Sequence, residues 1–163
     1  MFKSLSNFNR KTLLLLFIFF FGFYVNWYSG FQSFAPPDSF AVYHSGLMIL
    51  KGNIPYKDYW STQGTLLDVI QFTFFKLNGV SWKSYIIHSS MINGLFACFL
   101  FYFFDKFEFN KTLNLIISLT TALICYPQIG VPNDVHHAII FSIIFLLTFL
   151  LALKFDSKIH WFL

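Results

Sequence analysis

Apolar residues in this chain run in long blocks rather than in the alternation of a half-buried strand. Four blocks stand out, near residues 12–28, 84–104, 112–126 and 136–153. A helix crossing a bilayer needs roughly 17–25 predominantly apolar residues, and each block is near that length, the third being slightly short. A fifth stretch, residues 65–77, carries Asp68, Gln71 and Lys76 and would extend only about 20 Å at helical rise. Its Leu66, Leu67, Ile70, Phe74 and Leu77 share one helical face, with Thr65, Asp68, Gln71 and Lys76 off that face. This is the pattern of a helix lying in the membrane interface. Residues 39–50 repeat it, with Phe40, Tyr43, Leu47 and Leu50 at helical spacing. The pattern predicts an all-α polytopic transmembrane helix bundle forming one domain over residues 1–163. It has about four spans, plus two interfacial amphipathic helices in a first external loop near residues 29–83.

Composition agrees. The chain is 56% hydrophobic and 11% charged, where a soluble domain carries roughly a quarter charged residues. Lipid must therefore cover part of the surface. The net charge of +4 comes from basic residues at the ends of the apolar blocks, not from a patch, so a nucleic-acid partner is not expected. Cys98 and Cys125 both lie in apolar stretches and make neither a disulfide framework nor a metal-spacing motif.

Charge also orients the chain. Lys3, Arg10 and Lys11 precede the first block, which places the N-terminus in the cytoplasm. If residues 65–77 do not cross, Lys106, Lys111, Lys154 and Lys158 fall inside as well. If they cross, all four fall outside. The non-crossing layout satisfies the rule at every cytoplasmic end. Lys51, Lys57, Lys76 and Lys83 remain outside in the long loop, where they suit lipid headgroups. The first block is expected to stay as an uncleaved span, because Pro36 directly follows the small-x-small shape of Ser33-Phe34-Ala35.

The same layout sorts the polar residues. Asp38, His44, Asp58, Gln63, Asp68, Asn133, Asp134, His136 and His137 all fall at the external mouth of the bundle. Ionisable groups near membrane depth are functional candidates. Each also has a structural role open to it. Asp38 can cap the helix that begins at residue 39, Asp58 can serve a turn, and Asn133 and Asp134 can cap the last span. Adjacent histidines on a helix point about 100° apart, so His136 and His137 rarely bind one ion, and no metal or other cofactor is expected.

The order of features is more telling than any one residue. An Asp opens the loop, a small-residue helix follows, and then comes Lys51-Gly52-Asn53-Ile54-Pro55-Tyr56-Lys57-Asp58-Tyr59-Trp60. Gln63-Gly64-Thr65-Leu66 opens the next helix, and Asn78-Gly79 closes it. This resembles the N-terminal region of the GT-C superfamily of membrane glycosyltransferases, which includes the protein O-mannosyltransferases and the aminoarabinose transferases. The pattern there reads Asp, helix, Gly-x-x-Pro-Tyr-x-Asp, then a Pro-Leu element. Here Ser39 stands where many members carry a second acid after Asp38, and Thr65 replaces the proline.

The resemblance implies a polyprenyl-phosphate sugar donor used at the external face of a bacterial inner membrane. It implies Asp38 as catalytic base. It assigns substrate binding to Asp58, Tyr56, Gln63, Asp134, His136 and His137. Members are much longer and carry many more spans, so the chain is expected to be an N-terminal part, with a C-terminal half as partner. Two other classes compete: a non-catalytic polytopic membrane subunit, and a fragment of a polysaccharide polymerase or flippase. A transporter would place its polar groups at the midplane on broken helices, whereas these fall at span ends.

Overall fold

The computed structural model describes residues 2–32 and 39–155, with side chains described over residues 10–32 and 40–155. Asp38, the stretch at residues 33–35 and Lys158 lie outside the described residues. Six helices and no strands occur among those described: α1 (Phe2–Gln32), α2 (Ser39–Leu50), α3 (Thr65–Asn78), α4 (Trp82–Lys106), α5 (Lys111–Ile124) and α6 (Asp134–Phe155). Three contain stretches long and apolar enough to cross a membrane, Arg10–Gln32, Trp82–Lys106 and Asp134–Phe155. At 14 residues, α5 is about 21 Å long.

Local chemistry sets the ends. Ser81 caps α4 by accepting from Ser84 N, and Asn110 caps α5 by accepting from Thr112 N and Leu113 N. Asn133 Oδ1 accepts from His136 N at 3.3 Å at the start of α6. The end of α2 turns at Gly52, with φ +89°, where Asn53 N reaches back to Met48 O. That bond closes the helix end as a Schellman turn.

Side-chain pairings fix the directions of the long helices. Along α1 and α4 the partners run Lys11 with Asp105, Leu15 with Cys98, Gly22 with Gly94 and Asn26 with Ser89. As one number rises the other falls, so the two helices are antiparallel. Asn114 donates to Phe101 O and Asn93 to Ala122 O, so α5 is also antiparallel to α4. His88 meets His137, and Lys154 Nζ donates to Lys106 O, so α6 runs parallel to α4. Helices α1 and α5 thus run one way and α4 and α6 the other. Lys11, Lys106 and Lys154 gather at one end, while α2 and α3 pack at the opposite end.

Helix α4 is the central rod. Gly22 and Gly94 allow α1 and α4 to approach closely: a Cβ on Gly94 would lie 2.7 Å from Phe19 O. Small residues at a crossing let backbones pack where lipid supplies no hydrophobic drive. The buried amides of Asn26, Asn93 and Asn114 each donate across a helix pair. The expectation of polar residues only at span ends is therefore too simple. These asparagines lie well inside the helices, and their donors are occupied as interhelical links.

Helix α3 turns two of its polar positions inward. Asp68 and Gln71 are fully buried, with Leu67 and Phe75, whereas Leu66, Val69 and Leu77 are exposed. Asp68 and Gln71 face the protein, while Thr65 and Lys76 stay exposed and part of the apolar face points away. Near lipid the usual rule inverts, because an outward Leu needs no cover while an inward Asp finds hydrogen-bond partners.

Candidate functional site

Two buried polar clusters meet on α3. The first joins that helix to the preceding loop. Asp68 Oδ1 accepts from Gln63 Nε2 at 2.9 Å, and Asp68 Oδ2 accepts from the Tyr59 hydroxyl at 3.0 Å. Gln63 Nε2 also donates to Ser45 Oγ on α2 at 2.7 Å. Burial first, and then the bond to Asp68, pushes the Tyr59 hydroxyl well above its usual range, so it remains a donor. Gly46 lets α2 sit against this part of α3, since a Cβ there would fall 2.6 Å from Gln71 Cγ.

The second cluster lies one turn further along the same face. Gln71 Oε1 is 2.8 Å from His88 Nδ1, and His88 Nε2 is 3.0 Å from His137 Nε2. Phe74 stacks on the His88 ring with centroids 5.0 Å apart and planes 12° from parallel. His137 Nδ1 touches the Tyr126 hydroxyl and lies 2.9 Å from the Asn133 carbonyl. Gln71, His88, His137 and Tyr126 are all buried, and Gln71 Nε2 has no hydrogen-bond partner.

The donors and acceptors define what this chain of groups can do. Gln71 Oε1 only accepts, so His88 carries its proton on Nδ1 and offers Nε2 as acceptor. His137 then donates from Nε2, and its Nδ1 accepts from the Tyr126 hydroxyl.

No family model, curated protein or solved structure matches this chain. Among the described residues no group of three or more His, Cys, Asp or Glu side chains is placed to hold a metal ion.

The residues singled out from sequence divide into two groups. Gln63 and His137 are brought to the same helix, through Asp68 and through His88–Gln71 respectively. His136 is half-buried beside them, with its Nδ1 3.1 Å from Asn133 Oδ1. Asp58 is exposed, and its Oδ2 accepts from Ile54 N at 2.8 Å, which is the turn role. Tyr56 is exposed on that turn, and Asp134 is exposed at the helix start with its Oδ1 accepting from Val135 N. These three do not join the buried clusters.

His88 escaped the sequence reading, as did the inward orientation of Asp68 and Gln71. A signal for His88 was present. Ser84 with His88, and Ser89 with Asn93, are four residues apart inside an apolar block, which marks a polar stripe on a buried helix.

Proposed function

We propose that the chain is the N-terminal part of a membrane glycosyltransferase that takes a sugar from a polyprenyl-phosphate donor at the external face. In this reading α1, α4, α5 and α6 are four spans of a bacterial inner-membrane protein, with the N-terminus in the cytoplasm. The observation that carries the reading is the polar face of α3. It ties the loop bearing the Pro-Tyr-x-Asp element, through Asp68, to the start of α6, through Gln71, His88 and His137. A site assembled from a first loop and a later span at one mouth of a bundle suits a lipid-borne substrate. The clustering of Lys11, Lys106 and Lys154 at the other end supports the orientation.

The chemistry asked of the site is limited. An acceptor oxygen attacks the anomeric carbon, the bond from that carbon to the phosphate oxygen breaks, and the phosphate departs with its electron pair. Asp38 takes the proton of the acceptor as general base. Donors at the mouth of the site stabilise the departing phosphate oxygens. His136, half-buried at the start of α6, is the candidate for contact with the donor headgroup, while the donors of Gln63 and His137 are engaged within the protein and shape the wall behind it. Asp58 holds its turn in shape, and Tyr56 is presented outward by it.

The test is transfer from a radiolabelled polyprenyl-phosphate sugar in membranes carrying the complete enzyme. Asp38→Asn is expected to abolish transfer while leaving the membrane level of the protein unchanged. Near-normal turnover in that variant would refute the assignment of the base.

A further inference from the structure

The loop between α2 and α3 holds aromatic residues in two opposed settings. Tyr59 turns inward and donates to buried Asp68 at 3.0 Å. Its neighbours turn outward: Trp60 is 78% exposed, Tyr56 57% and Ile54 53%. Trp60 is the most exposed large hydrophobic residue described. Tyr56 and Trp60 meet edge to face, with centroids 5.8 Å apart.

The outward display is built rather than loose. Tyr56 N donates to Tyr59 O at 2.8 Å, Asp58 N to Ile54 O at 2.9 Å and Ile54 N to Asp58 Oδ2 at 2.8 Å. Tyr56 is held at φ +63°, a conformation that is uncommon for a residue other than glycine, asparagine or aspartate. Backbone strain of this kind persists only where surrounding bonds over-determine it. Here they hold Tyr56 and Trp60 against each other on the outside of the protein.

Position and charge indicate what meets this surface. Phe40 and Tyr43 of α2 pack on Trp82 and Tyr85 of α4, and Ser84 Oγ donates to Phe74 O of α3, so the helix pair that carries the loop docks where α4 begins. Lys51 and Lys57, both exposed, flank the three apolar side chains. Tyr and Trp favour the boundary between headgroups and acyl chains, and lysines beside it are drawn to anionic headgroups.

We infer that the loop at residues 51–60 is a lipid-interface anchor. Ile54, Tyr56 and Trp60 enter the headgroup–acyl boundary, and Lys51 and Lys57 contact anionic headgroups. The anchor fixes the height of α3 relative to the bilayer, because Tyr59 in the same turn is bonded to Asp68. This inference is independent of any sugar chemistry.

The test uses the fluorescence of Trp60 as the sole tryptophan, with Trp27, Trp82 and Trp161 changed to Phe, in vesicles of phosphatidylcholine and phosphatidylglycerol. Lipids brominated near the headgroup are expected to quench most of the emission, and lipids brominated near the chain ends much less. If the triple variant fails to fold, the difference between wild type and Trp60→Phe reads the same signal. Emission insensitive to bromine at either depth overturns the proposal. In that case iodide quenching would place Trp60 in water, and protection from iodide would place it against another protein segment. Changing Lys51 and Lys57 together to Gln is expected to remove any gain in quenching from phosphatidylglycerol. Persistence of that gain would overturn the role given to the lysines.

Discussion

Gly130→Ala is expected to abolish the folded bundle. A Cβ at this position would lie 2.5 Å from Gly30 Cα and 2.6 Å from Gly30 N, both backbone atoms of α1 that have no rotamer through which to yield. The residue also sits at φ +74°, where a side chain costs roughly 1–2 kcal/mol. Its carbonyl accepts from Ser89 Oγ at 2.9 Å and Asn26 Nδ2 at 3.3 Å, so a shift of the loop would break two buried bonds. Each bond left unmade costs about 1–3 kcal/mol. These terms reach about 3–8 kcal/mol before the clash with Gly30 is added, at the exceptional end for a single substitution. Gly79→Ala separates the two causes. It has a similar φ of +78° but no atom within 4 Å of the added Cβ, so it should lose only the backbone strain of about 1–3 kcal/mol. Size-exclusion profiles after a heat challenge in detergent would show Gly79→Ala folded and Gly130→Ala absent or aggregated.

His88→Leu is the second large effect, and its form matters more than its size. The substitution strips a partner from Gln71 Oε1 and from His137 Nε2, both buried. An unsatisfied buried group costs about 1–3 kcal/mol. Hydrogen bonds between membrane helices average nearer ~0.6 kcal/mol, because an unfolded chain in lipid also finds partners. Full burial of both groups puts His88 toward the upper value, and a loss of about 2–3 kcal/mol is expected. Adding Gln71→Leu should recover part of the loss. It removes the stranded acceptor together with the unpartnered Nε2 and leaves two apolar side chains facing each other. The cycle of wild type, two single variants and the double is therefore expected to be non-additive. Thermal unfolding in detergent measures it, and simple additivity would mean that Gln71 and His88 do not act as a pair.

The helices were legible in sequence because lipid-facing helices are long apolar blocks bounded by polar caps. Residues 84–104 and 136–153 anticipated Trp82–Lys106 and Asp134–Phe155 within two residues at each end, and residues 39–50 matched α2. Ser81, Asn110 and Asn133 mark the starts visibly, since a Ser or Asn before an apolar run can satisfy the free N–H groups of the first turn.

The inward face of α3 was not legible. Periodicity finds two faces of a helix, but beside a membrane it does not say which one faces the protein. Leu66 and Leu77 are as well placed outward as inward, so the decision passes to Asp68 and Gln71, which need partners. Asp68 finds Tyr59 and Gln63 in the loop before α3, and spacing within α3 does not reveal them. Gln71 finds His88 and, beyond it, His137, from two helices that sequence alone does not place side by side. The turn at Asp58 was legible for the opposite reason, as all its bonds lie within five residues.

Side-by-side placement also explains why one helix serves both clusters. Asp68 and Gln71 lie three residues apart and so share a face. Any displacement of α3 would be felt at Gln63 and Tyr59 in the loop and at His88 in α4. The sequence order of loop, α3 and α4 thus becomes a physical coupling between the mouth of the bundle and its central rod.

The most direct measurement is the sidedness of the two ends of the bundle. With Cys98 and Cys125 replaced by alanine, single cysteines at Asp134 and at Lys106 would be challenged with a membrane-impermeant maleimide in intact cells. Asp134→Cys is expected to be labelled from outside, and Lys106→Cys only after the membrane is opened. External labelling at Lys106, or protection at Asp134 until the membrane is opened, would contradict the four-span arrangement and remove His137 and Gln63 from the external face where the proposed donor is used.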